Sequence, residues 1–341
     1  MENFQKYLED SITIHQDFLK KNEANFSKLE TLYIGGGTPS LWGQKGILFL
    51  LELFQKNRIF FDDNYEFTIE LNPGSWNKSD LIELKKLGVN RISVGVQSLA
   101  ERTLKALDRV HSLEDVYKTL DTLAELNFNF SVDFMLGLPV EKSGPRNILH
   151  EVEEILKFNP SHLSSYILTV NKNYIHYADL PDEDFVSDEF LALSRLMSEN
   201  GFEHYEVSNF AKKDLKSKHN LKYWRGDSVA AFGPSATGFI KLGEKNGIRY
   251  KWKTIEKPEF STELISEKDY NFEQFFLSLR ITDGVNLLNF IKPDKIHEVV
   301  KFINELNENG HLISNDLTNL ILSPRGFLCS DSITTRLLTF F

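Results

Sequence analysis

The sequence is short of cysteine. Among its 341 residues there is one, Cys329, close to the C-terminus. A single thiol forms no disulfide within the chain, and it cannot supply a four-cysteine zinc site or the usual thiolate set of an iron–sulfur cluster. An intramolecular disulfide, a four-cysteine zinc site and the usual cysteine-held iron–sulfur cluster are therefore excluded for the sequence as it stands.

Long apolar runs and an excess of positive charge are missing as well. No apolar run approaches the roughly 18–20 residues that a transmembrane helix needs. The N-terminus, MENFQKYLEDSITIHQDFLKK, has the pattern of a charged amphipathic helix rather than of a signal peptide. The formal net charge is −10, whereas nucleic-acid-binding domains usually carry a basic patch. We therefore predict a cytoplasmic protein without a transmembrane segment or a nucleic-acid partner.

Glycine is concentrated at one point, although the common phosphate-binding motifs are absent. Three glycines, residues 35–37, separate the β-prone run 32–34 from Thr38. Neither GxxxxGK[ST] nor GxGxxG occurs in the sequence. Glycine permits positive φ angles and a close approach of a ligand to the backbone, and it also marks ordinary tight turns. The run alone leaves a ligand-binding turn and a plain strand–helix turn both open.

The N-terminal half alternates between strand and helix patterns. Helical patterns, with Ser79 and Ser112 as expected N-caps and Gly88 as an expected stop, separate the strands. Such βα units predict a parallel sheet, arranged as a barrel or half-barrel. The predicted strands cover 31–35, 66–71, 91–98, 130–139 and 162–170.

The rhythm changes after residue 180. We predict a helix at 189–201, a strand at 204–211 and a basic, aromatic-containing loop at 212–226. The last segment predicts a small module resembling a winged helix, with helices at 272–281 and 295–310 and a β-wing at 311–327. The predicted domains are a partial β/α barrel over 1–180, a barrel-completing region over 181–270 and the C-terminal module over 271–341.

Polar side chains stand where four predicted strands end. They are Thr38, Glu70, Gln97 and Asp133. In parallel β/α folds, the C-terminal edge of the strands carries the chemistry. Each residue alone could be a buried polar group satisfied within the protein. Together, on successive strands, they predict a binding site at this edge.

Six segments in order carry a resemblance to a known family. They are GGGTPSLW, IELNPG, GVNRISVGVQSL, LDRVHS, VDFMLGLP and HNLKYW. The chain resembles the radical S-adenosylmethionine (SAM) family of oxygen-independent coproporphyrinogen III dehydrogenases, and most closely its HemW branch, whose members are regarded as heme chaperones. The resemblance implies an α/β fold, an incomplete (β/α)6-type partial barrel whose first strand is absent, followed by the winged-helix-like module.

The resemblance also implies roles for matching residues. Gly36, Gly37 and Thr38 would line the SAM site, where the family's glycine motif meets the methionine amino group. Glu70, Gln97, Arg109 and Asp133 match further SAM-contacting positions. His219, in HNLKYW, would be an axial heme ligand, or else a loop histidine that only forms hydrogen bonds. The implied partners are heme or a porphyrin and a heme-accepting protein.

Two departures from the family pattern accompany this resemblance. The CxxxCxxC motif that holds the family's [4Fe–4S] cluster is absent, so we expect the chain as written not to cleave SAM. An incomplete chain and a cluster-free relative both remain open. In FGPSATGF, residues 232–239, Ser235 and Thr237 stand where the family has glycine and histidine.

Nucleic-acid binding by residues 271–341, which a winged helix permits, is disfavoured because the segment shows no basic stripe, and three functional alternatives remain. The first is a HemW-like protein that binds and transfers heme. The second is a coproporphyrinogen III dehydrogenase whose full-length gene product carries the cluster. The third is a cluster-free β/α barrel that binds a small molecule through Glu70 and Asp133, because fold alone does not fix function.

Overall fold

The computed structural model describes residues 2–26, 28–37, 39–140 and 146–341. Its contacts divide the chain into two compact units, each made of separate stretches. Unit 1 comprises Met1–Leu32, Lys45–Tyr65 and Lys218–Phe341. Unit 2 comprises Tyr33–Gln44 and Glu66–Ser217. The three predicted domains stay a prediction.

Strands and helices alternate through the first half of the chain, as predicted. The strands are β1 Leu29–Ile34, β2 Phe61–Leu71, β3 Arg91–Gln97, β4 Asn129–Leu136, β5 His162–Ile167, β6 Glu203–Glu206, β7 Asn209–Ala211, β8 Thr237–Lys241, β9 Gly247–Trp252, β10 Phe260–Ile265, β11 Leu312–Asp316 and β12 Asn319–Leu322. The helices are α1 Glu2–Lys21, α2 Pro39–Lys56, α3 Lys78–Lys86, α4 Glu101–Ala106, α5 Leu113–Glu125, α6 Ile148–Leu156, α7 Glu183–Glu199, α8 Lys218–Trp224, α9 Glu267–Ser278, α10 Ile296–Glu308, α11 Pro324–Leu328 and α12 Ser330–Leu338.

The main sheet has seven strands in the order β1-β2-β3-β4-β5-β7-β6. Strands β2 to β5 pair in parallel, whereas β7 pairs antiparallel with both β5 and β6. On one face of β2 to β4 the side chains are apolar and buried, including Ile69, Val94 and Val132. Polar side chains occupy the alternate positions, because successive side chains of a strand point to opposite faces. This polar face holds the candidate site.

Capping residues set the helix boundaries, and one expected cap is wrong. Helix α3 begins after Asn77, whose side chain accepts from the Asp80 N–H while the Asp80 carboxylate accepts from the Asn77 N–H. This capping box takes the place that we predicted for Ser79. Gly88 has a φ of 94° and ends the helix as expected, and Ser112 caps α5 through the predicted box.

Two further predictions after residue 180 are wrong. The segment 204–211 is a hairpin of two short antiparallel strands, β6 and β7, rather than one strand. The segment 212–226 contains helix α8 rather than only a loop. The C-terminal module has the predicted two helices and two-stranded wing, and two unpredicted helices, α11 and α12, follow the wing. Among the described helices, none has both the length and the hydropathy that crossing a membrane requires.

An aromatic cluster forms part of the core of unit 1. The His15 ring is fully buried, and its centroid lies 5.1 Å from that of Phe232 and 5.0 Å from that of Tyr250. Among the residues that the structure describes, neither His15 nitrogen has a hydrogen-bond partner. Burial lowers the pKa of His15 to about 4, so the ring packs as a neutral aromatic.

Candidate functional site

The register of the sheet places several polar residues on one face. Glu70 of β2 pairs with Ser93 of β3, Gly95 of β3 pairs with Asp133 of β4, and Asp133 pairs with Ser164 of β5. Paired residues on neighbouring strands share a face, and so do residues two apart on one strand. Glu70 and Asp133, predicted from separate strand ends, therefore lie on the same face of the sheet.

The Glu70 carboxylate is the link between β2 and the glycine turn. Its two oxygens accept hydrogen bonds from the Tyr33 hydroxyl and from the Gly36 N–H, both at 2.8 Å. Burial and the negative charge of Glu70 raise the pKa of Tyr33 far above its usual value, so the phenol stays protonated and donates. Glu70 itself is only partly exposed.

The three glycines of the turn have two different structural causes. A Cβ at Gly35 would lie 2.7 Å from a Glu70 carboxylate oxygen and 2.4 Å from the Tyr33 ring, so the protein's own side chains exclude a larger residue. Gly36 and Gly37 have φ angles of 79° and 60°, where glycine is favoured, and a Cβ at either position would have no atom of the described, non-neighbouring residues within 4 Å. Their exposed backbone can approach a ligand. Thr38, the next predicted site residue, lies outside the described residues.

Asp133 sits partly exposed at the centre of the polar face. The Ser93 hydroxyl lies 3.1 and 3.0 Å from its two carboxylate oxygens and donates to this group. Burial raises the pKa of Asp133, while hydrogen bonds from Ser164 and Ser93 and the positive charge of Arg91 oppose that shift. A partly desolvated carboxylate of this kind suits a hydroxyl or ammonium donor of a ligand.

Gln97 joins this group because of a β-bulge. The register shifts between Gly95 and Gln97, so that Gln97 pairs with Phe134, and Gln97 has a φ of 71°. A Cβ at Gly95 would lie 3.2 Å from the Gln97 side-chain nitrogen and 3.6 Å from the Asn72 side-chain oxygen. Both amides thus lie over Gly95, next to its partner Asp133, which shows how a bulge re-aims a side chain.

A buried hydrogen-bonded chain lies on the same face. The nitrogens of His162 contact the hydroxyls of Ser131 at 2.7 Å and of Tyr205 at 2.9 Å. Burial lowers the pKa of His162 well below its usual value, so the ring is neutral. Both nitrogens are satisfied within the protein, and we assign His162 a structural role.

The remaining two predicted residues are not in this group. Arg109 follows α4, is partly exposed, and its guanidinium forms no ion pair with a described carboxylate. None of the hydrogen bonds or ion pairs that the structure describes joins Arg109 to Glu70 or Asp133. His219 belongs to unit 1, where its Nδ1 lies 2.9 Å from the Thr31 hydroxyl and its ring packs edge-on against Tyr223 at 5.3 Å.

The residues present do not fit an iron–sulfur cluster. The only cysteine of the sequence, Cys329, is exposed and lies between α11 and α12. Within the described ranges no group of three or more histidine, cysteine, aspartate or glutamate residues could hold a metal ion.

Sequence reasoning missed several residues of the polar face. They are Tyr33, Asn72, Ser93 and Ser164. Ser93 could have been found from the two-residue alternation of RISVGVQ, which places it on the side of Arg91 and Gly95. The other residues needed the register of neighbouring strands, because nothing local marks them as partners of the predicted residues.

Comparison with known proteins identifies the family. The profile of the Radical SAM superfamily matches residues 14–157. The chain is 31% identical to the heme chaperone HemW of Escherichia coli (strain K12), over 87% of this chain and 85% of that protein. It is also 31% identical to the bovine mitochondrial radical S-adenosyl methionine domain-containing protein 1, over 92% of this chain and 76% of that protein.

A solved structure shows the same fold. The coproporphyrinogen III oxidase HemN from Escherichia coli, a radical SAM enzyme, superimposes with a TM-score of 0.78 at 18% sequence identity. The match covers 100% of this chain and 83% of HemN. The predicted radical SAM α/β fold is thus confirmed, and because HemW relatives match over most of both lengths, the chain belongs to the HemW family of radical SAM proteins.

Proposed function

We propose that this protein binds and transfers heme on a radical SAM scaffold, with SAM held on the polar face of the sheet. The observation that carries the SAM part is the grouping of Glu70, Gln97 and Asp133 on one face, beside the bare backbone of Gly36 and Gly37. The kinship with HemW proteins supports the heme part.

The polar face offers SAM complementary groups. The ligand carries an ammonium group and ribose hydroxyls, and the carboxylates of Glu70 and Asp133 accept hydrogen bonds from such donors. The Gln97 amide can donate and accept. The exposed backbone at Gly36 and Gly37 leaves room for the methionine part. Roles for Thr38 and for Arg109, as a partner of the SAM carboxylate, remain predictions from the resemblance.

His219 is the proposed heme ligand. Its Nδ1 lies at hydrogen-bond distance from the Thr31 hydroxyl. In the tautomer whose Nδ1–H donates to Thr31, Nε2 carries the lone pair that ligates iron, and a hydrogen bond of this kind typically fixes a ligating histidine. His219 and Tyr223 both belong to the HNLKYW segment, which lies in helix α8. A heme-accepting protein and a cytoplasmic location belong to the same proposal.

Hemin titration of the purified protein tests the heme part. We expect a Soret shift in the unmodified protein that is lost or strongly altered in His219→Ala. His297→Ala is the matched control, because His297 is an exposed histidine of the same unit. No Soret shift, or a shift that His219→Ala and His297→Ala change equally, would contradict the proposed ligand.

A further inference from the structure

Arg146 lies at the centre of a buried ionic cluster in unit 2. Its side chain is 9% exposed, and its guanidinium nitrogens lie 3.5 Å from a Glu151 carboxylate oxygen and 3.7 Å from one of Glu189. The two glutamate side chains are also buried, at 9% exposure for Glu151 and 4% for Glu189. Buried carboxylates are retained only where hydrogen bonds and opposite charge compensate for lost hydration.

The two glutamates bind backbone just beyond the strand ends. The Glu151 carboxylate accepts from the Ser98 hydroxyl at 3.0 Å and from the Leu99 N–H at 2.6 Å. The Glu189 carboxylate accepts from the Gly137 N–H at 2.9 Å. Glu151 thereby ties helix α6 to the segment after β3, and Glu189 ties helix α7 to the segment after β4.

Arg146 completes the link between the two strands. Its guanidinium donates to the carbonyl of Gln97 at 3.4 Å and to the carbonyl of Met135. These carbonyls belong to residues at the C-terminal ends of β3 and β4, where the bulge at Gln97 interrupts the parallel pairing. The guanidinium thus donates to two carbonyls and lies at ion-pair distance from two carboxylates, an arrangement that suits its planar fork of donors better than the point charge of a lysine.

Gln97 needs such a restraint. Its φ of 71° is uncommon for a residue other than glycine, and conformations of this kind persist only where the surroundings hold them. The Arg146 contact to its carbonyl is the direct restraint. The Glu151 contacts fix the next two residues of the chain.

We propose that Arg146, Glu151 and Glu189 form a positioning cluster that fixes the ends of β3 and β4 and thereby aims the Gln97 amide at the bound ligand. Arg146 acts through Gln97 and does not touch the ligand itself. The effect on SAM rests on the proposed function, whereas the effect on the strand ends does not.

Hydrogen–deuterium exchange tests the cluster without any ligand. We expect Arg146→Met to raise the exchange rates of the Leu99 and Gly137 amides about tenfold or more, because their acceptors lose their cation. Arg146→Lys, which keeps the positive charge, is the second variant in case Arg146→Met does not fold. We expect it to raise the exchange rates of the same two amides by a smaller factor. The amides of helix α3 should stay unchanged.

Arg249→Met is the matched control. Arg249 also bridges two glutamates, Glu263 at 2.9 Å and Glu273 at 2.6 Å, but it belongs to unit 1. We expect it to leave the exchange of Leu99 and Gly137 unchanged. Unchanged exchange at these amides in folded Arg146→Lys and Arg146→Met, or an equal rise in Arg249→Met, would overturn the proposal.

A double-mutant cycle then tests whether the cluster acts through Gln97. In calorimetry we expect Arg146→Lys to weaken SAM binding about tenfold, since small misplacements of a ligand-facing group are costly. In a Gln97→Ala background the same substitution should have no further effect. An equal loss in both backgrounds would overturn the action through Gln97. Failure of the unmodified protein to bind SAM would contradict the proposed function, and the exchange experiment would still decide the cluster.

Discussion

The Gly36 N–H donates to the Glu70 carboxylate at 2.8 Å. This hydrogen bond connects the glycine turn after β1 to the end of β2. Glu70 is therefore a candidate ligand contact and also holds the turn in place. The second carboxylate oxygen, held by Tyr33, fixes the orientation of the group. Substitutions around this pair should therefore affect the fold of the turn and ligand binding together.

Gly35→Ala should disrupt the turn. The new methyl group would meet the Glu70 carboxylate at 2.7 Å and the Tyr33 ring at 2.4 Å, and overpacking of this kind costs about 1–3 kcal/mol. We expect a lower midpoint of thermal unfolding and weaker SAM binding. Gly243→Ala is the control, since its Cβ would come no closer than 3.0 Å, to a flexible asparagine. Equal midpoints of thermal unfolding for the two variants would contradict the role of Glu70 in holding the turn.

Asp133→Asn should stabilise the protein at pH 7 and weaken SAM binding. The pKa of Asp133 is raised in the folded protein, so its stabilising contribution is complete below its usual pKa and is lost as the pH rises through the folded value. At pH 7 the amide should therefore make the protein more stable. It should also weaken SAM binding about ten- to hundredfold, because a charged acceptor is lost.

Thermal unfolding and calorimetry at pH 7 measure the two effects of Asp133→Asn. Asp121→Asn, on the outer surface of helix α5, is the control and should change neither. A variant that is less stable and binds SAM normally would contradict this assignment of Asp133.

His15→Phe should flatten the acid dependence of stability. The folded pKa of about 4 lies below the usual 6.5. The unfolded chain therefore binds the proton first, and about 3 kcal/mol is lost as the pH falls from about 6.5 to about 4. Replacing the unpaired ring with phenylalanine should remove this loss and stabilise the protein at pH 5.

Urea unfolding between pH 4 and pH 7 measures the His15 effect. His297→Gln, at an exposed position, should leave the pH dependence of the free energy of unfolding unchanged. His162 is buried, His204 is partly buried, and burial lowers the pKa of both, so part of the acid sensitivity will persist in His15→Phe. If His15→Phe left the pH dependence of the free energy of unfolding unchanged, the assignment of His15 as a neutral, buried ring would be wrong.

Thr31→Ala should weaken hemin binding if His219 ligates the iron. Loss of a hydrogen bond that orients a ligating histidine commonly costs 10- to 100-fold in metal affinity, and we expect about tenfold here. Thr31→Ser keeps the hydroxyl at 2.9 Å and should bind nearly as the unmodified protein does. Hemin titration followed at the Soret band compares them, and equal affinities of Thr31→Ala and Thr31→Ser would contradict the orienting role.

The parallel sheet was predictable because its signals are local. Apolar runs such as those around Ile69 and Val132, each closed by a polar residue or a glycine, mark βα units directly. Helix α8 was missed because the charged segment 212–226 shows no clear helical periodicity. The hairpin of β6 and β7 was missed because its turn, between Glu206 and Asn209, carries no glycine.

The candidate site was predictable only in part. Glu70 and Asp133 stand at strand ends, which the sequence reveals. Their common face depends on register across three strands, and the position of Gln97 depends on a bulge. The role of Arg146 was not predictable, because its partners belong to separate helices and strand ends spread between Gln97 and Glu189.

Calorimetry with SAM tests the central claim most directly. If the polar face of β2 to β4 holds the ligand, the unmodified protein should bind SAM, and Glu70→Ala and Asp133→Ala should each weaken binding about tenfold or more while Asp121→Ala does not. Absence of measurable binding by the folded protein, or binding that Glu70→Ala and Asp133→Ala leave untouched, would contradict the account.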